Sequence, residues 1–305
     1  MKSLTTEFQL INEDINSGLS LLSDKSVSMT ILDPPYYRKV DQDWDKQWFT
    51  FDQYLEWCEV WIKEVSRVSM DSGTAWLFGY PYELSKLLPL FEKYGFKLKQ
   101  QIVIDKGLKS IAGRSSDQLK QFPTATEYLY FFYKDSREMI RQLLQSERKR
   151  LDLTGNQVNQ HLGKAVTGGG TFSTIASLKK PLEYIVYPTE KDWIKLQEIF
   201  DLPEYDTVVF RFNSSFGITD VWNDIDFYIN KKDKIHPTQK PVDLINRIID
   251  TGVPNKHILD CFMGSGTTAI CSNGKSDRFT GIEVDQDMFD QSLDRIHLHI
   301  PHLQS

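Results

Sequence analysis

The residues with the most chemical potential in the first third of this chain are Asp33-Pro34-Pro35-Tyr36. They follow Val27-Ser28-Met29-Thr30-Ile31-Leu32, an apolar run that reads as a buried strand, and two prolines end it because they cannot continue a hydrogen-bonded ladder. A motif placed directly after such a strand lies at the carboxyl edge of an open α/β sheet, where ligands bind. The Asp33 carboxylate and the Pro34 carbonyl would form two acceptors, and proline fixes φ, so the direction of that carbonyl is set in advance. Two acceptors suit an exocyclic amino group on a nucleobase, a poor nucleophile whose lone pair is delocalised into the ring. Holding both amino hydrogens favours a tetrahedral nitrogen and turns the lone pair towards an electrophile. Tyr36 would then stack on a base rotated out of its duplex. Taken alone, the tetrapeptide reads equally well as a proline-rich strand terminator with a capping aspartate.

A second constellation lies near the C-terminus. His257-Ile258-Leu259-Asp260 reads as a short strand, and Cys261-Phe262-Met263-Gly264-Ser265-Gly266-Thr267-Thr268 as a glycine turn opening a helix. The next strand, Phe279-Thr280-Gly281-Ile282, ends at Glu283, 19 residues after Gly264. An acid at that distance is placed to accept hydrogen bonds from the ribose hydroxyls of a nucleoside cofactor. A phosphate-binding P-loop needs Gly-Lys-Ser/Thr, and no lysine follows Gly266. A dinucleotide site wants a third glycine, and Thr267, Thr268 and Ala269 follow instead. A nucleoside without phosphates needs fewer glycines and keeps the acid; S-adenosylmethionine is such a ligand. Tight strand-to-helix turns also use glycine for structural reasons, so the two constellations count chiefly in combination.

The elements that must position them alternate. A helix is expected from about Phe51 to Ser69, where Tyr54, Leu55, Trp57, Cys58, Trp61, Ile62 and Val65 form a helical apolar stripe. Asp71-Ser72-Gly73 reads as a turn, Thr74–Phe78 as a strand, about Glu83–Tyr94 as a helix, and Gln101–Ile104 and Glu127–Tyr133 as further strands. Alternation of this kind implies a largely parallel sheet covered on both faces. The pattern breaks between about 135 and 222. There Ser136–Arg150 reads as a basic helix, Leu153–Leu162 as a short one and Thr167–Thr171 as a flexible glycine loop. A further helix is capped by Thr189, with Asp192 as its capping-box partner. Two short helices in a basic setting are compatible with a helix-turn-helix-like unit.

Composition narrows the classes. Of the 305 residues, 40% are hydrophobic and 26% charged, which is ordinary for a globular protein. No run approaches a membrane span, and residues 1–20 lack a signal-peptide core, so a cytoplasmic protein is expected. Cys58, Cys261 and Cys271 sit in no metal-type spacing and suit a reducing compartment. The net charge of −6 argues at first sight against a nucleic-acid partner, but residues 97–180 carry 15 Lys and Arg against 7 Asp and Glu. A basic middle between acidic ends fits a phosphate-contacting surface as well as an ordinary solvated helical one.

The chain resembles the permuted, amino-directed DNA methyltransferases of the β group, in which the catalytic motif precedes the cofactor motif. The resemblance rests on Asp33-Pro34-Pro35-Tyr36, Asp220-Val221-Trp222, His236-Pro237-Thr238-Gln239-Lys240-Pro241, and Asp260 through Gly266 with Glu283, and it covers about 1–135 and 220–298. It implies a doubly wound, Rossmann-like, circularly permuted α/β sheet. Residues 1–135 would be its catalytic half, 136–220 an inserted target-recognition region, and 221–305 its cofactor half. The implied cofactor is S-adenosylmethionine, held by Asp14, Lys240, Asp260, Phe262, Gly264, Gly266, Thr267 and Glu283. Lys240 is expected near the cofactor's carboxylate and Phe262 against its adenine. Asp33, Pro34, Pro35 and Tyr36 would be catalytic. Members with Asp in the first motif position mostly methylate adenine N6, so that atom is favoured over cytosine N4 or an RNA base. Transfer would be direct, with no metal and no covalent intermediate; none of the three cysteines follows a proline, as a ring-carbon nucleophile would. Double-stranded DNA is the implied partner, contacted by Arg148, Lys149, Arg150 and Lys164. A partner restriction endonuclease, a bacterial or phage origin and a monomeric or homodimeric state stay open. A catalytically silent DNA-binding subunit is disfavoured by the intact Asp33, Tyr36 and Glu283. A departure is Cys261-Phe262-Met263, where a proline before the phenylalanine is common.

Overall fold

A computed structural model of the chain describes residues 5–37, 47–107, 122–166, 170–213, 217–227, 233–236, 238–252 and 255–304. Its frame is one eight-stranded sheet of β1 (Glu7–Asn12), β2 (Val27–Leu32), β3 (Ser69–Gly79), β4 (Phe96–Asp105), β5 (Thr126–Lys134), β6 (Val221–Trp222), β7 (Asn255–Asp260) and β8 (Ser276–Glu283). The spatial order is β1-β8-β7-β2-β3-β5-β4-β6. Every pairing is parallel except the two that β5 makes with β3 and β4. The expected largely parallel Rossmann-like sheet is therefore observed. The pairing of β2 with β7 joins N- and C-terminal parts of the chain through Met29 with Ile258, Thr30 with Leu259 and Ile31 with Asp260.

Strands buried on both faces read as continuous apolar runs, and β2 does so. One face is covered by α1 (Ile15–Ser20), α2 (Phe51–Val68) and α3 (Pro81–Lys93), whose Leu19, Tyr54, Trp61, Ile62, Leu87 and Phe91 pack with Leu32, Leu77 and Phe132 of the sheet. The other is covered by α9 (Val242–Ile249), α10 (Thr267–Ser272) and α11 (Gln286–His299), through Leu244, Ile245, Ile248, Ala269 and Ile296. Helix α2 starts at Thr50, whose hydroxyl accepts from the Gln53 N–H while the Gln53 side chain accepts from the Thr50 N–H.

A third core belongs to residues 140–209 alone. It gathers Ile140 and Leu144 of α4 (Arg137–Arg150), Val158 of α5 (Gly155–His161), Phe172 and Ile175 of α6 (Gly170–Ala176), Trp193 and Leu196 of α7 (Glu190–Gln197) and Val208 of α8 (Tyr205–Val208). The segment that breaks the strand–helix alternation thus buries apolar surface of its own. It touches the sheet where the Ser72 hydroxyl donates to the Asp206 carbonyl.

Several elements differ from expectation. Strand β1 and helix α1 lie where the sequence suggested no element; β1 is a half-exposed edge strand, and its weak apolar contrast hides it. Asp71-Ser72-Gly73 is not a turn but part of β3, absorbed as an irregularity in which Val27 pairs with Ser69 and Met29 with Thr74. Gly170 and Thr171, expected in a loop, begin α6; residues 167–169 of that loop lie outside the described residues. Thr189 caps α7 as expected, accepting from the Asp192 N–H, but the Asp192 carboxylate pairs with Lys164 instead of returning to the cap.

Gly266, in the turn between β7 and α10, has φ +72°, and a Cβ there would lie 2.9 Å from Ile296 Cδ1. Gly266→Ala is expected to cost on the order of 1–2 kcal/mol for a left-handed residue with a side chain. The thermal midpoint without ligand should fall by a few degrees; an unchanged midpoint would show that α11 yields freely.

Candidate active site

Parallel strands deliver their last residues to one edge. Asp33 directly follows β2, Asp260 ends β7 and Glu283 ends β8, and these strands are consecutive neighbours. The three carboxylates therefore share one rim.

The Asp33 carboxylate is held at both oxygens. The Tyr36 hydroxyl donates to Oδ1 at 2.6 Å and the Lys240 ammonium to Oδ2 at 2.6 Å. A fourth group joins them that the sequence reading did not single out. Glu127 Oε1, at the start of β5, lies 3.2 Å from the Tyr36 hydroxyl and 3.0 Å from Lys240 Nζ, and Oε2 is 3.6 Å from Lys106 Nζ. The Lys240 ammonium also lies 4.8 Å from the centre of the Phe78 ring. Burial works against ionisation of both Glu127 and Lys240, yet the Lys240 and Lys106 charges lower the Glu127 carboxyl, and Asp33 and Glu127 raise the Lys240 ammonium. Burial, with Asp33 and Glu127 nearby, pushes the Tyr36 phenol well up, so it stays a neutral donor. Its ring meets Tyr80 edge-on, centroids 5.2 Å apart. Among the described residues no hydrogen bond reaches the Pro34 carbonyl, which leaves it open as an acceptor.

The glycine turn is organised by Glu283, whose carboxylate accepts from the Gly264 N–H at 2.8 Å and the Asp285 N–H at 3.0 Å. Its pKa is raised by burial. Gly264 has φ +48°, and a Cβ there would meet nothing closer than 3.8 Å, so space lies open above it. Asp260 accepts from the Phe262 N–H and is hydrogen-bonded by Thr268; burial raises it to about 7, with the Asp33 and Glu283 charges adding to the effect.

The expected site residues divide. Asp33, Tyr36 and Lys240 come together as one bonded cluster, beside the rim that carries Asp260, Gly264 and Glu283. Lys240, expected near the cofactor's carboxylate, is bonded to Asp33 and Glu127. Gly266 spares room for Ile296 of α11, whose Cδ1 a Cβ there would approach to 2.9 Å. Thr267 is buried and turned inward, accepting from Arg295 and donating to the Lys240 carbonyl. Phe262 packs on Trp57 and Trp61 beneath the turn. Asp14 caps α1, accepting from the Asn16 and Ser17 N–H groups and from the Ser17 hydroxyl. Of His236-Pro237-Thr238, Pro237 lies outside the described residues.

The basic residues are more committed than their count suggests. Arg148 donates to the Leu153 carbonyl and Gln145, Arg150 pairs with Glu147, and Lys164 with Asp192 at 3.1 Å. Lys149 is exposed and in no ion pair among the described residues. An open groove of about 560 Å³ lined by Lys99, Tyr133, Arg137, Tyr187, Phe210 and Phe212 lies towards the opposite end of β4 and β5 from Glu127.

Residues 27–294, a span containing all three rim carboxylates, match the N6_N4_Mtase family model, described as DNA methylase. The chain belongs to this DNA methylase family. The methylase is 23% identical over 294 residues to the type II methyltransferase M2.DpnII of Streptococcus pneumoniae, covering 91% of this chain and 85% of that one. It is 24% identical over 283 residues to the type II methyltransferase M1.MboII of Moraxella bovis, covering 90% of each. The solved M1.HpyAVI–SAM complex superposes with a TM-score of 0.56 at 18% identity, over 95% of this chain and 98% of that one; that likeness establishes the shared fold. Among the described residues of the methylase, no helix is long and apolar enough to cross a membrane.

The buried Asp260 makes a stability prediction. Its carboxyl holds its proton up to about pH 7 when folded but only to about 3.8 when unfolded. The stabilisation it contributes is thus full below about 3.8 and lost as pH rises to about 7. Stability relative to Asp260→Asn should fall steadily between pH 5 and 7 in urea titrations. Comparison with the variant cancels His257, whose burial lowers it to about 4 and gives a slope of opposite sign. A pH-independent difference would contradict a buried, protonated Asp260.

Proposed function

We propose that this DNA methylase transfers the methyl group of S-adenosylmethionine to the exocyclic amino group of a flipped-out base, adenine N6 in the first place. The observation that carries the reading is the single rim. Asp33-Pro34-Pro35-Tyr36, with its two acceptors, sits one strand away from the Asp260–Gly264–Glu283 turn. When bound, the cofactor supplies an electrophilic methyl on a sulfonium. Glu283 offers acceptors for ribose hydroxyls, and Gly264 leaves open space beside them. Asp33 and the Pro34 carbonyl hold the two amino hydrogens, turning the nitrogen lone pair outwards. Asp33 is also the nearest base for the proton that nitrogen must lose once it carries the methyl. Tyr36, braced edge-on by Tyr80, offers its ring to the base.

Residues 136–220 serve in this reading as the target-recognition region. The support is their separate core, which lets them vary without disturbing the sheet. With Arg148, Arg150 and Lys164 bonded internally, exposed Lys149 is the member of that group best placed to meet phosphates. Cytosine N4 is the second reading, because the family takes in both amino acceptors and their geometry at Asp33 and Pro34 would be alike.

Labelled S-adenosylmethionine should transfer its methyl to duplex DNA, and sequencing of modified bases should find N6-methyladenine. N4-methylcytosine would replace adenine by the second reading, and no label in DNA would sink both. Asp33→Ala should lower kcat by at least about 10²–10³-fold, in line with loss of a group aimed at transition-state charge, with cofactor affinity nearly kept. Glu283→Ala should instead weaken cofactor binding first, measured by calorimetry without DNA.

A further inference from the structure

Glu127 lies outside every motif described above, yet it is the most enclosed carboxylate of the cluster. Its side chain is 8% exposed, against 25% for Asp33. One of its oxygens, Oε1, lies within reach of both groups that hold Asp33: the Tyr36 hydroxyl at 3.2 Å and the Lys240 ammonium at 3.0 Å. Their bonds to Asp33 are shorter, at 2.6 Å each. Tyr36 and Lys240 therefore sit between two carboxylates, nearer to the one that the amino group must use.

That arrangement has a consequence for Asp33. A carboxylate already bonded by an ammonium and a phenol is a weaker acceptor and a weaker base for an incoming amino group. The two donors cannot simply let go, because a buried ammonium without a counter-charge and a buried hydroxyl without a partner are both strongly unfavourable. Glu127 removes that obstacle: both donors can lean towards Oε1 with no change of partner set. Lys106, 3.6 Å from the other oxygen, helps keep Glu127 ionised for this purpose.

We propose that Glu127 is a positioning residue, the standby acceptor that takes up the Tyr36 hydroxyl and the Lys240 ammonium while the target amino group claims Asp33. This inference rests on the methyl-transfer reading above. Glu127 touches neither base nor cofactor in this role; it acts through Lys240 and Tyr36. The placement of its backbone supports it, since Glu127 is held in register opposite Ile104 by the β4–β5 ladder.

The test is a double-mutant cycle with Glu127→Gln and Lys240→Met, on duplex DNA carrying the site that methylation sequencing locates. Single-turnover transfer, steady-state KM for the cofactor and thermal midpoint are measured together. E127Q is expected to lower the single-turnover rate about 10- to 100-fold, with the cofactor KM within about threefold of wild type. In the K240M background the same change should cost less than about threefold, since the ion that needs a standby partner is gone. A rate within threefold of wild type for E127Q, or equal losses in both backgrounds, would overturn the proposal. If E127Q does not fold, Glu127→Asp replaces it in the same cycle. Its carboxylate is drawn back by one methylene, so a smaller loss that again disappears with K240M is expected, and a wild-type rate would overturn the proposal. Failure of the methyl-transfer reading looks different: the wild-type protein itself would leave DNA unlabelled.

Discussion

The buried contact of Lys240 with Asp33 and Glu127 is the interaction on which the arrangement of the rim depends. It draws on three distant parts of the chain: the end of β2, the start of β5 and the approach to α9. Its backbone is tied to a fourth, because the Thr267 hydroxyl at the head of α10 donates to the Lys240 carbonyl. Removing one partner from such a buried set is costly, about 3–5 kcal/mol, since the remaining charges lose their compensation. The cluster therefore acts as a lock between the segment that presents the acceptors and the glycine turn.

The sheet explains why sequence and structure agree where they do. Strand β2, the Asp-Pro-Pro-Tyr tetrapeptide, the strand–glycine–helix turn and Glu283 were legible because each has a local signature: an apolar run, a proline stop, a spacing of 19 residues. Their convergence follows from parallel pairing, which sets neighbouring strand ends side by side. What stayed hidden has no local signature. Strand β1 is half-exposed and lies at the edge. Glu127 looked like the polar start of an aromatic strand, since its partners are 91 and 113 residues away at Tyr36 and Lys240. An acid leading into such an apolar strand is a signal that could have marked it, but only the tertiary fold says what it meets.

Residue type alone does not say what each side chain touches. Glycines of one turn serve different ends: Gly264 opens space, while Gly266 yields to Ile296. Cations in a basic run do likewise. Arg148 secures the chain after α4 by bonding the Leu153 carbonyl, and Arg150 neutralises Glu147, so local net charge overstates what faces solvent. Charge density marks a region, and the bonds each cation already makes decide how much of it is offered to a partner.

The reversed direction of β5 has an architectural effect. The parallel strands β2, β7 and β8 bring their final residues to the rim, beyond which the chain departs into turns. An antiparallel strand arrives there with its opening residue instead, so Glu127 is carried by a backbone already woven into the ladder. The rim thus receives Asp33 and Tyr36 from the chain beyond β2, whereas Asp260, Glu283 and Glu127 are still paired within the sheet. Held opposite Ile104 of β4, the Glu127 backbone is less free to drift than the Asp33–Tyr36 segment, which lies beyond its strand.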